Sequence, residues 1–180
     1  MESPDRLKPR ALVVWFTGLS GSGKTTLAKA LCHALESQGR EVKFLDGDQI
    51  RSLFPNSGYT REERQAHIGR VGFLASRLQA HGVTVVAALV SPYRESRQFV
   101  RQLCGDRFLE VFVSTALEVC EARDAKGLYA RARRGEIKNF TGIDDLYEPP
   151  TAPELTIDTT RVAVGEAVRQ LLARIDGFAL

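Results

Sequence analysis

Cysteine is scarce in this sequence: Cys32, Cys104 and Cys120 are the only three among 180 residues. Their number is odd and no pair has C-x-x-C spacing, which argues against a disulfide framework or a zinc site and fits a reducing cytoplasm. Cys32 falls in an apolar helical stripe and reads as a small core residue. Long apolar runs are also missing, and none approaches the ~20 residues that span a bilayer. Residues 1–10 are polar, contain Pro4 and Pro9, and lack the apolar stretch of a signal peptide. The expectation is a soluble, cytoplasmic chain with a flexible start. An excess of one charge is lacking too: 25 Lys and Arg stand against 22 Asp and Glu, interleaved rather than blocked. That balance argues against a nucleic-acid platform or a membrane surface. There is no internal repeat, low-complexity tract or linker.

What is present suits one domain over residues 1–180. At 43% hydrophobic residues, a chain of this size can fill one core, burying roughly 70% of its unfolded surface. Short apolar segments alternate with helical patterns. Strands are read at 11–17, 42–45, 83–90, 108–113 and 155–158. Helices are read at 24–37, from Thr60 to Gly82, at 95–104, at 116–123 and at 162–175. Thr60-Arg61-Glu62-Glu63 forms a capping box ahead of an apolar face of Ile68, Val71, Leu74, Ala75 and Leu78. The closing helix is expected to turn Val164, Val168, Leu171, Leu172 and Ile175 inward. This alternation predicts an α/β sandwich with a mainly parallel five-stranded sheet flanked by helices.

Between the first strand and first helix stands Gly18-Leu19-Ser20-Gly21-Ser22-Gly23-Lys24-Thr25, a full match to G-x-x-x-x-G-K-[ST]. Such a loop turns backbone N–H groups toward phosphate oxygens, and the helix behind it adds its dipole. Lys24 can reach the β- and γ-phosphates of ATP, and the Thr25 hydroxyl can coordinate Mg²⁺. No N-K-x-D sequence points to guanine. The strand at 83–90 ends in Ser91-Pro92 rather than in an Asp; the nearest strand-end acids are Asp46 and Asp48. Ligands of open parallel sheets bind at that edge. Asp48 can orient an acceptor hydroxyl or take its proton, Asp46 can support a metal, and Arg51 can hold an anionic group. The plain alternative is an acidic turn that caps a short helix.

The motifs in order resemble those of the adenylylsulfate (APS) kinase family. They are Gly18 to Thr26, Asp46-Gly47-Asp48-Gln49-Ile50-Arg51, and Ser91-Pro92-Tyr93-Arg94 with Arg97. Cys120 to Asp124, Lys126-Gly127-Leu128-Tyr129, Asn139 to Asp144, and Tyr147-Glu148-Pro149-Pro150 follow. The likeness covers about residues 10–160. It implies a P-loop kinase that uses ATP and Mg²⁺ to phosphorylate the 3′-hydroxyl of adenosine 5′-phosphosulfate, works as a homodimer, and has a functional link to ATP sulfurylase. It implies that Gly18, Ser20, Gly21, Ser22, Gly23, Lys24, Thr25 and Thr26 hold ATP. Arg51 and Arg64 would meet the phosphosulfate end, Tyr59 and Phe140 would sandwich its adenine, and Asp46, His67, Lys126 and Lys138 would also touch substrate. Ser91 matches a serine described in the family as a phosphorylated active-site residue. Here direct in-line transfer needs no such intermediate, and Ser91 can hydrogen-bond substrate or phosphate. The basic segment Arg123 to Lys138, punctuated by Gly127, Gly135 and Gly142, reads as part of a lid over about 124–145.

Where the family often reads Glu-Asn-Ile-Arg-Arg, this chain has Ala66-His67-Ile68-Gly69-Arg70. That departure leaves open a kinase for another small nucleotide or metabolite. A third reading is a nucleotide-binding module that works only beside a sulfurylase. His33 and His81 read as surface residues, and solvated exposure is the plain alternative for His67.

Overall fold

A computed structural model describes residues 10–54 and 58–178. The flexibility expected of residues 1–10 falls, but for Arg10, outside the described residues. Five parallel strands form one sheet in the order β2-β3-β1-β4-β5: β1 Val13–Thr17, β2 Val42–Asp46, β3 Thr84–Ala88, β4 Phe108–Val113 and β5 Leu155–Ile157. The expected five-stranded sheet forms, and all four of its strand pairings are parallel. The helices are α1 Lys24–Ser37, α2 Gly47–Ser52, α3 Arg61–Ala80, α4 Arg94–Cys104, α5 Leu117–Arg123, α6 Leu128–Arg133 and α7 Val164–Phe178.

The period of two along β1 divides the core. Val14 and Phe16 face a layer that includes Leu27, Leu31 and Leu35 of α1 and Ala167, Leu171 and Ile175 of α7. Val13 and Trp15 face the other layer, with Ile68, Val71 and Ala75 of α3 and Val100 of α4. A central strand with helices on both faces is apolar on both, as Val13 to Phe16 are; β1 is buried along its length, and its last residue, Thr17, satisfies its hydroxyl on the Val90 carbonyl at 2.8 Å. All three cysteines are buried and free.

Two expected core residues lie outside. Leu74 is 41% exposed because the buried arc of α3 is centred on Arg64, Ile68, Val71 and Ala75, and Leu74 falls just past its edge. Val164 is also 41% exposed; it sits in the first turn of α7 at the rim of the cavity described below. Of two short helices, α2 matches the alternative reading of a short helix capped by the acidic turn, and α6 was not read. α2 starts on Asp46, whose carboxylate accepts from the N–H groups of Asp48 and Gln49 at 2.9 and 3.1 Å. α6 interrupts the basic stretch, and the Asp124 carboxylate takes the N–H groups of Tyr129 and Ala130, both at 3.0 Å. The capping box of α3 forms as expected, with Thr60 and Glu63 exchanging side-chain-to-backbone bonds.

Candidate active site

A cavity of about 960 Å³ opens along the carboxyl ends of the strands, at the large end of the usual range for small-molecule sites. Its floor is the loop between β1 and α1. Gly18 has φ +150°, and a Cβ there would stand 2.5 Å from the carbonyl oxygen of Val113 on β4. Gly23 has φ +104°, and a Cβ there would meet Thr159 at 3.0 Å. Both positions demand glycine, by close approach and by backbone conformation.

Lys24 is 8% exposed, and its ammonium donates to the Leu19 carbonyl at 2.6 Å. Burial pushes its pKa down to about 8, against weaker raising effects from Cys120 and Asp48. Thr25 and Thr26 are exposed to the cavity. The loop is held from beneath by residues that sequence reasoning missed. The hydroxyls of Thr115 and Thr159 lie 3.0 and 2.9 Å from the Ser22 carbonyl and 2.8 Å from each other. Arg123 donates to the Thr159 hydroxyl at 2.8 Å. Each threonine lies two residues past a strand, β4 or β5, and the rule that sites gather at strand ends is the signal that could have found them. Tyr129 of α6 was also missed as a structural element; it is 1% exposed, and its hydroxyl donates to the Ser20 carbonyl at 2.8 Å.

The opposite wall carries the acidic turn. Asp46 is committed to capping α2, so the plain alternative describes that residue. Asp48 points elsewhere: its carboxylate takes the ammonium of Lys126 at 2.6 Å. His67 is 2% exposed rather than solvated. Its Nε2 lies 3.1 Å from the Gly47 carbonyl, which can only accept, so Nε2 carries the proton. Burial, with Arg51 and Arg70 nearby, holds its pKa down to about 4. Gly69, the other departure in that stretch, approaches Phe99 and does not line the cavity.

Arg51 donates to the Gly58 carbonyl at 2.7 Å and lies 4.7 Å from the centre of the Tyr59 ring. Arg64, 7% exposed, donates to the Tyr59 carbonyl at 2.9 Å and to that of Asn139. Ser91 is 1% exposed, with φ +39°; its hydroxyl oxygen accepts from the Trp15 indole at 3.1 Å. Phe140 sets its ring against the edge of Tyr129, with centroids 5.0 Å apart. Tyr59 and Phe140 line the same cavity, as do Ser91, Arg131 and Lys126. Lys138 is exposed and outside its lining: it follows the end of α6, and its long side chain has solvent on offer.

A sequence model of the adenylylsulphate kinase family matches residues 10–158. The chain belongs to the adenylylsulphate kinase family. An adenylyl-sulfate kinase of Gloeothece citriformis is 48% identical over 171 residues, covering 94% of this chain and 97% of that protein. One from Paraburkholderia xenovorans is 49% identical over 167 residues, covering 92% and 93%. Among solved structures, the Mycobacterium tuberculosis APS kinase in complex with AMPPNP and APS superposes with a TM-score of 0.89 at 38% identity, covering 93% of this chain and 99% of that one. As an adenylylsulphate kinase family member, the chain joins a phosphate loop and an acidic strand-end turn in one cavity. No helix among the described residues is long and apolar enough to cross a membrane.

Proposed function

We propose that the chain transfers the γ-phosphoryl group of ATP to the 3′-hydroxyl of adenosine 5′-phosphosulfate, giving 3′-phosphoadenosine 5′-phosphosulfate and ADP. The observation that carries this reading is that Lys24 and Asp48 line one cavity with Arg51, Arg64, Tyr59 and Phe140. The triphosphate rests on the loop N–H groups, and Lys24 leaves the Leu19 carbonyl for the transferred phosphate. Arg51 and Arg64 draw the phosphosulfate end by charge-assisted hydrogen bonds. The aromatic faces of Tyr59 and Phe140 offer stacking to its adenine.

The acceptor oxygen forms its bond to the γ-phosphorus as the bond to the bridging oxygen of ADP breaks, and Asp48 receives the hydroxyl proton. For this Lys126 must give up the Asp48 carboxylate, and a lid residue that moves onto phosphate does so. Ser91 shapes the floor as a neighbour of Trp15, not as a nucleophile.

The donor set also fits Mg²⁺. Hard cations take oxygen ligands; the Thr25 hydroxyl would supply one beside the phosphates, with water and phosphate oxygens as the others. Among the described residues no group of three or more His, Cys, Asp or Glu gathers as a metal cage, which suits an ion carried largely by the nucleotide. When bound, it neutralises charge on the phosphate oxygens.

ADP release, followed by a coupled assay over a panel of adenylylsulfate, other nucleotides and small alcohols, tests the reading. Turnover confined to adenylylsulfate supports it; preference for an acceptor without a base refutes it. The family likeness supports a homodimer in the cytoplasm that draws its substrate from an ATP sulfurylase, and light scattering on the purified chain tests the dimer.

A further inference from the structure

Arg97 belongs to the Ser91-Pro92-Tyr93-Arg94 motif region, yet nothing above gives it a task. It is 2% exposed and spends all three sides of its guanidinium. Nε donates to Glu110 of β4 at 2.7 Å, Nη1 to the Ser91 carbonyl at 2.6 Å, and Nη2 to the Glu148 carbonyl at 2.6 Å. Glu110 is shared with Arg101, which also grips Glu154 with two bonds. The charges are thus balanced within the pair of arginines and the pair of glutamates. The two carbonyl bonds are not needed for that balance.

Those two carbonyls belong to the two walls of the acceptor side. Ser91 holds a backbone conformation, φ +39°, that is strained for a non-glycine residue and persists only where its surroundings impose it. Glu148 ends the segment that carries Phe140. Within that segment the Asp144 carboxylate takes the N–H groups of Asn139 and Phe140. Asp145 accepts from the Tyr93 hydroxyl at 2.8 Å and faces Arg64 at 3.8 Å. The phosphate loop has braces of its own in Thr115, Thr159 and Arg123, and meets this frame through Thr17 on the Ser91 carbonyl at 3.3 Å and Tyr129 on the Ser20 carbonyl at 2.8 Å.

We propose that Arg97 is a positioning residue for the acceptor nucleotide: one guanidinium fork helps tie the Ser91 turn to the Phe140 segment and so sets the width of the acceptor pocket, while the phosphate loop has its main braces elsewhere. A lysine cannot do this, because one ammonium on a flexible stem cannot span two carbonyls and a carboxylate in fixed directions. The inference rests on the proposed reaction for the identity of the acceptor, not for the geometry.

The test is Arg97→Lys, which keeps the charge beside Glu110. Misplacement of the acceptor should raise its KM roughly 10–100-fold, while the affinity for a non-hydrolysable ATP analogue stays within about twofold of wild type, the ordinary scatter of such contributions. Trp15, the single tryptophan, should shift its fluorescence emission as Ser91 leaves its indole N–H. Should Arg97→Lys not fold, Arg97→Gln combined with Glu110→Gln removes both buried charges together and the same ratio is read. Unchanged acceptor KM in a folded variant, or equal loss of acceptor and ATP-analogue affinity, overturns the proposal. Wild-type protein assayed alongside separates the two claims: absence of turnover with adenylylsulfate refutes the reaction, and the Arg97 ratio is then read on whichever nucleotide in the panel is phosphorylated.

Discussion

The ammonium of Lys24 should make ATP binding pH-dependent in a range where few other groups titrate. Burial lowers its pKa to about 8 from an ordinary 10.5, a difference of roughly 3 kcal/mol. A bound triphosphate restores the preference for the charged form, so binding above that value takes up a proton. With Lys24 at about 8 in the free chain, some nine-tenths of it is neutral at pH 9, and the Kd of a non-hydrolysable ATP analogue should be about tenfold weaker at pH 9 than at pH 7. The ligand's own phosphates have finished titrating by then, their second pKa lying near 6. Calorimetric titration from pH 7 to 10 in two buffers of different ionisation heat reads both the affinity and the proton uptake. Lys24→Met should bind more weakly and lose the slope. The stability of the ligand-free chain should move oppositely. Between about 8 and 10.5 the unfolded Lys24 holds its proton when the folded one has lost it, so stability rises with pH across that window. A Kd that is flat from pH 7 to 9, or a slope that survives in Lys24→Met, refutes the reasoning.

Asp48→Asn should lower kcat by ~10²–10⁴-fold with a modest change in KM, as loss of a general base does; Asp46→Ala should instead lower stability, by ~0.5–2 kcal/mol, because its carboxylate caps α2. Kinetics and melting of the two variants check this, and reversal of the two effects refutes it. Lys126→Ala should leave the melting temperature within about 4 °C, since both members of its pair with Asp48 are exposed and such pairs are worth ~0–1 kcal/mol. Its kcat should still fall about tenfold or more if Lys126 moves onto phosphate during transfer, and unaltered turnover speaks against that movement. Phe140→Ala should raise the KM for adenylylsulfate about 5–150-fold. Because Phe140 also packs on Tyr129, a loss of ~0.5–1.5 kcal/mol in stability should accompany it; a melting change alone, with KM unmoved, removes it from the substrate site.

The layers of the fold were legible because their signals are local and repeated. β1 reads as buried since Val13 to Phe16 are all apolar, and α1 reads as amphipathic since Leu27, Leu31 and Leu35 recur every fourth residue. The phosphate loop was legible as a motif between the two. Helices of six residues gave weaker signals, since α2 and α6 are too short to show a period: α2 was legible only as the capped short helix offered as an alternative at Asp46, and α6, capped by Asp124, was not read. The braces under the loop were illegible for another reason. Thr115 and Thr159 meet at Ser22 because β4 and β5 are neighbours in the sheet, and nothing in a threonine's local sequence states which strand will lie beside it.

The inward face of α3 shows what the site asks of its scaffold. A helix read by period alone should bury apolar residues, yet α3 also buries Arg64 and His67. Neither is matched mainly to a carboxylate. His67 bonds the Gly47 carbonyl, and Arg64 the carbonyls of Tyr59 and Asn139. The same choice recurs in Lys24 on Leu19. A carbonyl satisfies a donor without cancelling its charge. A carboxylate satisfies it too, but removes the positive potential that draws a polyanion. Cations held on carbonyls are thus both stably buried and still available to phosphate and sulfate oxygens. His67 serves the same end by staying neutral at working pH, held down to about 4, so that it fixes the turn bearing Asp48 without adding a charge next to the proton acceptor. In the first half of this helix a polar residue in an inward register is therefore the mark of the site rather than a fault in the core, whereas Gln79 near its end is buried away from the cavity on the Arg107 carbonyl.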